Sequence, residues 1–280
     1  SGLPLVSQRG QTSTSSASPP SVLILLSGFP DTVDTFEEFS KNFEDKYHVV
    51  RIAYPDMDQP RLRRFWGYTL EQVRDALAVV IKEYRTEYQC GPVYLLGHDW
   101  GAFTSLLYAH KYPNTITKLV LEDIGITHPN DYPIASKVLI AMYQIYLAFL
   151  FCISRLVGND TWTTWYKIML VFYPWYFLGP IRKIPPRHRP LRPHQCYPYF
   201  QVMFFFLNSQ RMKGVRFTQA VPQLYIYGGD KLFQFHSPWF LKKLESTPGC
   251  SFIEYPDGEH FMHETHCQQM AQDVQSFLES

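Results

Sequence analysis

Asp99, Asp230 and His260 are the residues whose types and spacing could carry one reaction between them. Asp99 is the centre of Leu95-Leu96-Gly97-His98-Asp99-Trp100-Gly101, with a glycine two positions before it and another two after. An apolar run precedes this segment and a helical pattern follows it, so Asp99 is expected on a tight strand-to-helix turn. A carboxylate at a helix N-terminus stays ionised, because free N–H groups and the helix dipole favour the anion. Such a carboxylate can attack an electrophilic carbon and form an ester.

Asp230 follows an apolar run in Tyr227-Gly228-Gly229-Asp230, and His260 lies in Gly258-Glu259-His260-Phe261. The order nucleophile, acid, histidine suits a triad. Asp230 is expected to orient the imidazole and stabilise its charged form. His260 is expected to take a proton from water, which then attacks the ester carbonyl carbon of Asp99. Ser27-Gly28-Phe29-Pro30 ends another apolar run. The backbone N–H groups of Phe29 and Trp100 are expected to form the oxyanion hole for that step.

These residues need elements to hold them. Ser21–Ser27, Val49–Tyr54, Pro92–Leu96, Ile116–Glu122, Gln223–Tyr227 and Ser251–Tyr255 read as strands. Helical patterns cover Asp34–Lys46, Gly101–Tyr112, Ser237–Leu244 and a closing stretch from Cys267 to Leu278. Thr69-Leu70-Glu71-Gln72 is a capping box ahead of a long periodic helix. Strands alternating with helices predict a doubly wound, mainly parallel sheet. Residues 1–20 read as a flexible tail, 21–127 and 216–280 as two parts of one core, and 128–215 as a helical cap inserted between them.

The 280 residues are 46% hydrophobic and 18% charged, which supports a large core. A net charge of +1 offers no field to recruit nucleic acid. The five cysteines have no CxxC spacing and read as inert thiols rather than disulfides or a zinc site. No metal is expected, although His260, His263 and His266 recur every third residue, because His260 already has a triad role. No secretory signal is legible, which points to a cytoplasmic protein. Between Lys137 and Arg155 the chain carries no charge. Inside a cap, this run reads as a helix lining a substrate tunnel or dipping into a membrane surface, rather than spanning a membrane. Either role suits a small lipophilic substrate.

Gly97-His98-Asp99-Trp100-Gly101-Ala102, Ser27-Gly28-Phe29-Pro30, Asp230 and Gly258-Glu259-His260-Phe261 together resemble the epoxide hydrolase and haloalkane dehalogenase branch of the α/β-hydrolases. The resemblance covers about residues 21–125 and 216–280. It implies an α/β-hydrolase fold, no cofactor, and a covalent ester on Asp99. It also implies two cap tyrosines that donate hydrogen bonds to an epoxide oxygen, since an alkoxide leaving group needs a proton donor. Tyr173 and Tyr199 match those settings, with Tyr176 and Tyr197 as substitutes. Phe29 stands where many dehalogenases carry Asn or Glu, which favours the epoxide activity. Asp123 follows a strand where some dehalogenases place the triad acid, so it is the reserve for Asp230. His98 is expected to support the site by hydrogen bonding. The rival activities are a haloalkane dehalogenase with the same core and a non-catalytic protein that binds lipid or a partner.

Overall fold

The computed structural model describes residues 7–9, 21–87, 89, 91–127, 133–157, 192–207, 217–231 and 234–280. Among the described residues seven strands form one sheet: β1 (Ser7–Arg9), β2 (Val22–Leu26), β3 (His48–Ile52), β4 (Val93–His98), β5 (Lys118–Glu122), β6 (Gln223–Gly228) and β7 (Ser251–Tyr255). Their order is β1-β3-β2-β4-β5-β6-β7. β1 runs antiparallel to β3, and every other pair is parallel.

The described residues also form eight α-helices: α1 (Glu37–Ser40), α2 (Leu70–Glu87), α3 (Trp100–Lys111), α4 (Ile134–Val157), α5 (Tyr197–Leu207), α6 (Pro238–Glu245), α7 (Met262–Thr265) and α8 (Cys267–Glu279). The alternation of β2 shows how they are divided between the two faces. Val22, Ile24 and Leu26 pack with Leu77, Ile81, Ala102 and Leu106 of α2 and α3. Leu23 and Leu25 point the other way, onto Phe36, Phe39 and Phe43 and onto Met270, Val274 and Leu278 of α8. Side chains alternate across a strand, so a strand covered on both faces must be apolar throughout. Full burial of each such side chain is worth about 1.5–3 kcal/mol.

Two local expectations meet a different structure. Ser7–Arg9, within the stretch read as a tail, adds an edge strand by pairing Ser7 with Ile52 and Arg9 with Val50. Asp34–Lys46 is not one helix: a 3-10 turn at Val33–Phe36 leads into the four-residue α1, then turns. The capping box does form. The N–H of Thr69 donates to Gln72 Oε1 at 3.0 Å, and that of Gln72 to Thr69 Oγ1 at 3.2 Å.

The sheet order reverses between β2 and β4, because the chain leaves β2 toward β3 and returns to the other side of β2 as β4. Such a switch point opens a crevice beyond the carboxyl ends of the strands. Ser27–Pro30 follows β2 and Asp99 follows β4, so both lie at that crevice.

α4 and α5 lie in the insertion between β5 and β6 and pack on one another. α4 is long and apolar enough to cross a membrane by length and composition. The strands that precede and follow the insertion, β5 and β6, nevertheless pair directly. Tyr143, Leu147, Ala148, Leu150 and Phe151 form its buried face, and Val138, Met142, Ile145 and Phe149 are exposed on the other.

Candidate active site

Asp99 caps the N-terminus of α3 with φ 52° and ψ −123°, a conformation non-glycine residues rarely adopt. The turn holds because the backbones around it almost touch. A Cβ on Gly101 would lie 2.1 Å from the Leu26 carbonyl oxygen. A Cβ on Gly28 would lie 2.5 Å from the Trp100 nitrogen and 2.6 Å from Asp99 Oδ2. Only glycine fits at both positions. The loop after β2 can thus press against the elbow, where the Phe29 N–H donates to Asp99 Oδ2 at 2.8 Å. The Trp100 nitrogen approaches Gly28 from the first turn of α3.

His260 follows β7 and reaches across the crevice. Its Nε2 is 3.6 Å from Asp99 Oδ1, and its Nδ1 is 2.5 Å from Asp123 Oδ2. The acid paired with the imidazole is therefore Asp123 and not Asp230. Asp123 directly follows β5 with φ 65°, and its N–H donates to the Ile226 carbonyl at 2.8 Å. That backbone twist aims its carboxylate inward. Asp230 is exposed, and its N–H donates to the Gly258 carbonyl at 3.0 Å. One residue later the loop turns back inward, and the Lys231 ammonium donates to Asp123 Oδ1.

Burial alone would lower the His260 pKa, but the hydrogen bonds and charges of Asp123 and Asp99 outweigh it and push the value up to about 10. Burial would raise the Asp123 carboxyl, yet Lys231 and His260 hold it below the usual carboxylate range. Burial lowers the Lys231 pKa, an effect that Asp123 opposes.

Above Asp99 lies a cavity of about 310 Å³, lined by Trp100, Phe103, Ile140, Tyr143, Tyr199, Val202 and Phe235 among others. Tyr199 from α5 and Tyr143 from α4 meet edge to face with ring centroids 5.9 Å apart. Tyr199 also stacks edge-on against Phe29 and Trp100 at 5.1 and 5.2 Å. Burial first, and then the charge of Asp99, raise the Tyr199 phenol well above its ordinary pKa, so it stays protonated. Tyr173 and Tyr176 lie outside the described residues. Tyr197 is buried below the cavity against Tyr54 and Tyr68 and does not line it. Tyr143 is the residue that sequence reasoning missed. Its signal was the helical spacing of Ile140, Tyr143 and Gln144, which puts all three on one face toward the cavity.

A sequence model of the Alpha/beta hydrolase family matches residues 23–273. The chain belongs to the alpha/beta hydrolase family. Human epoxide hydrolase 4 is 31% identical over 114 residues, which is 40% of this chain and 29% of the human protein. The match therefore spans under a third of that relative's length. Among solved structures, MenH from S. aureus superposes with a TM-score of 0.64 at 17% identity, covering 98% of this chain and 97% of that one. The Bacillus megaterium epoxide hydrolase in complex with an inhibitor gives 0.63 at 17% identity, covering 99% and 97%. At such identities the likeness shows the fold.

This alpha/beta hydrolase also carries a second buried polar cluster behind the first. His98 Nε2 donates to the His260 carbonyl at 3.0 Å, and Nδ1 meets Asp31 Oδ2 at 3.1 Å. His263 places Nδ1 2.8 Å from Glu122 Oε1 and Nε2 2.9 Å from Thr35 Oγ1. His98, Glu122 and His263 are close enough together to hold an ion. Each of their ring nitrogens already faces a protein oxygen, however, and the cluster reads as a hydrogen-bonded support. Through it His98 fixes the backbone that carries the His260 imidazole.

Proposed function

We propose that this alpha/beta hydrolase opens lipophilic epoxides to diols through an ester on Asp99. The observation that carries the reading is a carboxylate at the elbow, between His260 at 3.6 Å and a cavity into which Tyr143 and Tyr199 both project. A serine at this turn would need a base to become nucleophilic, whereas a carboxylate is already an anion.

The first step uses the Oδ1 atom of Asp99, since Oδ2 accepts from the Phe29 N–H. Oδ1 bonds to a ring carbon as the carbon–oxygen bond of the epoxide breaks. Tyr143 and Tyr199 donate to the departing oxygen, and one phenol supplies its proton. Esterification removes the Asp99 charge that helped keep His260 protonated, so the imidazole releases that proton, which restores the phenol. His260 then takes a proton from water, and the hydroxide attacks Cγ of Asp99. The Phe29 and Trp100 N–H groups hold the oxyanion. The diol leaves with Oδ1, and water restores the carboxylate oxygen. The proton removed from water restores the imidazolium, and the second water proton passes to the departing Oδ1, so the net reaction is epoxide plus water to diol.

The apolar walls of the cavity, Phe103, Ile140, Val202 and Phe235, support a lipophilic substrate. The test is diol formation from a panel of lipophilic epoxides and 1-haloalkanes, with Asp99→Asn as control. Diol formed by the wild type and lost in the variant supports the reading. Halide without diol assigns a dehalogenase instead. Silence on both from folded protein overturns the enzymatic reading.

A further inference from the structure

The loop after β6 brings a cation to the triad where an acid was expected. The side chain of Lys231 is completely buried, as is that of Asp123, which it meets. Its ammonium donates to Asp123 Oδ1 while His260 holds Oδ2. It also lies 5.8 Å from the centroid of Phe235, a wall of the cavity. An ammonium is costly to bury, and it persists only where a fixed anion compensates it. The reaction proposed above gives this cation no part of its own.

The charges around the imidazole show what it can do. His260 faces Asp99 from the elbow, Asp123 from the end of β5, and the His98 ring at 4.6 Å from β4. Lys231 in turn faces Asp123 and, more distantly, Glu122 and His236. Once Asp99 is an ester, the protonated His260–Asp123 pair is neutral, and losing its proton leaves a net negative charge. A neighbouring cation favours that deprotonated form. Two bonds on opposite carboxylate oxygens also fix the plane of Asp123.

We propose that Lys231 is a positioning residue that fixes Asp123 toward His260 and, by its charge, makes the imidazole give up its proton for ester hydrolysis. The hydrolytic role rests on the function proposed above. The charge relation belongs to the resting protein and can be measured without substrate.

The experiment is an NMR titration of the His260 imidazole in an Asp99→Asn background, which imitates the charge lost on esterification. Lys231→Met removes charge and bond, Lys231→Gln keeps a donor without charge, and Lys231→Arg keeps the charge. The His260 midpoint should rise by about 1–3 units with Met and Gln, the range for one close charge, and stay near its starting value with Arg. Should the Met variant not fold, the Gln variant decides. With Asp99 present, the acidic limb of single-turnover ester hydrolysis should move up by the same amount while the rate of ester formation holds. A midpoint unmoved or lowered by loss of the charge overturns the proposal. If the wild type makes no diol but the midpoint shifts, the function falls and the charge relation stands.

Discussion

Asp123 Oδ2 lies 2.5 Å from His260 Nδ1, a contact across 137 residues of chain that joins the end of β5 to the loop after β7. The contact makes Asp123 the group that orients the imidazole and carries its counter-charge. Asp123→Asn should leave ester formation on Asp99 largely intact and slow its hydrolysis by about 10²–10⁴-fold, the usual worth of general-base catalysis. Mass spectrometry of the intact protein during turnover should then show the covalent adduct. Asp230→Asn, on an exposed side chain, should leave turnover nearly unchanged. A large loss with Asp230→Asn and little with Asp123→Asn would reverse the assignment.

In the proposed reaction the phenols serve the other half of the chemistry. Tyr143→Phe and Tyr199→Phe should each slow ester formation, and the double variant should do so by about 10²-fold or more, because proton donation to the leaving oxygen is lost. Rapid-quench measurement of the alkylation step separates this from hydrolysis. If only the hydrolytic step responds, the tyrosines do not serve the epoxide oxygen.

The titration of His260 makes stability depend on pH. Its pKa is raised from 6.5 to about 10 in the folded chain. A raised pKa means that the folded state binds the proton more tightly than the unfolded state. The contribution is therefore complete below about pH 6.5 and is lost as pH rises toward 10. Urea unfolding of the wild type should show stability falling through that window, and His260→Gln should lack this component. Equal slopes in the two proteins would show that the imidazole is not held protonated.

The elbow gives a test of packing alone. Gly101→Ala would drive a methyl group to 2.1 Å from the Leu26 carbonyl oxygen, backbone against backbone, where no side chain can yield. The cost should be roughly 3 kcal/mol or more, at the upper end of overpacking effects. The midpoint of chemical denaturation reads it directly. Gly249→Ala is a useful contrast, because its φ of +77° strains an alanine although the nearest side-chain atoms are 3.5 Å away. It should cost about 1–2 kcal/mol through the left-handed backbone alone.

Much of this site was legible from the chain alone, and the reason is that it is local. The strand, the Gly97–Gly101 turn and the start of α3 are neighbours in sequence, so residue types there dictate the position of Asp99. The same holds for Phe29 after β2, for the capping box at Thr69 and Gln72, and for His260 after the last strand. The choice of acid was not local. Acids follow both β5 and β6, and spacing does not reveal which carboxylate points inward. The backbone at Asp123 and a one-residue difference of direction at Lys231 decided it. Tyr143 was one of 19 tyrosines, in a run whose buried and exposed faces look alike by composition. Only the packing of α4 on α5 showed which face meets the cavity. The sequence thus determined the fold and the places of Asp99 and His260 through short-range backbone geometry. Tertiary structure decided the partner of that histidine, the phenols and the buried cation, because side-chain direction at the ends of separate strands depends on how those strands pack.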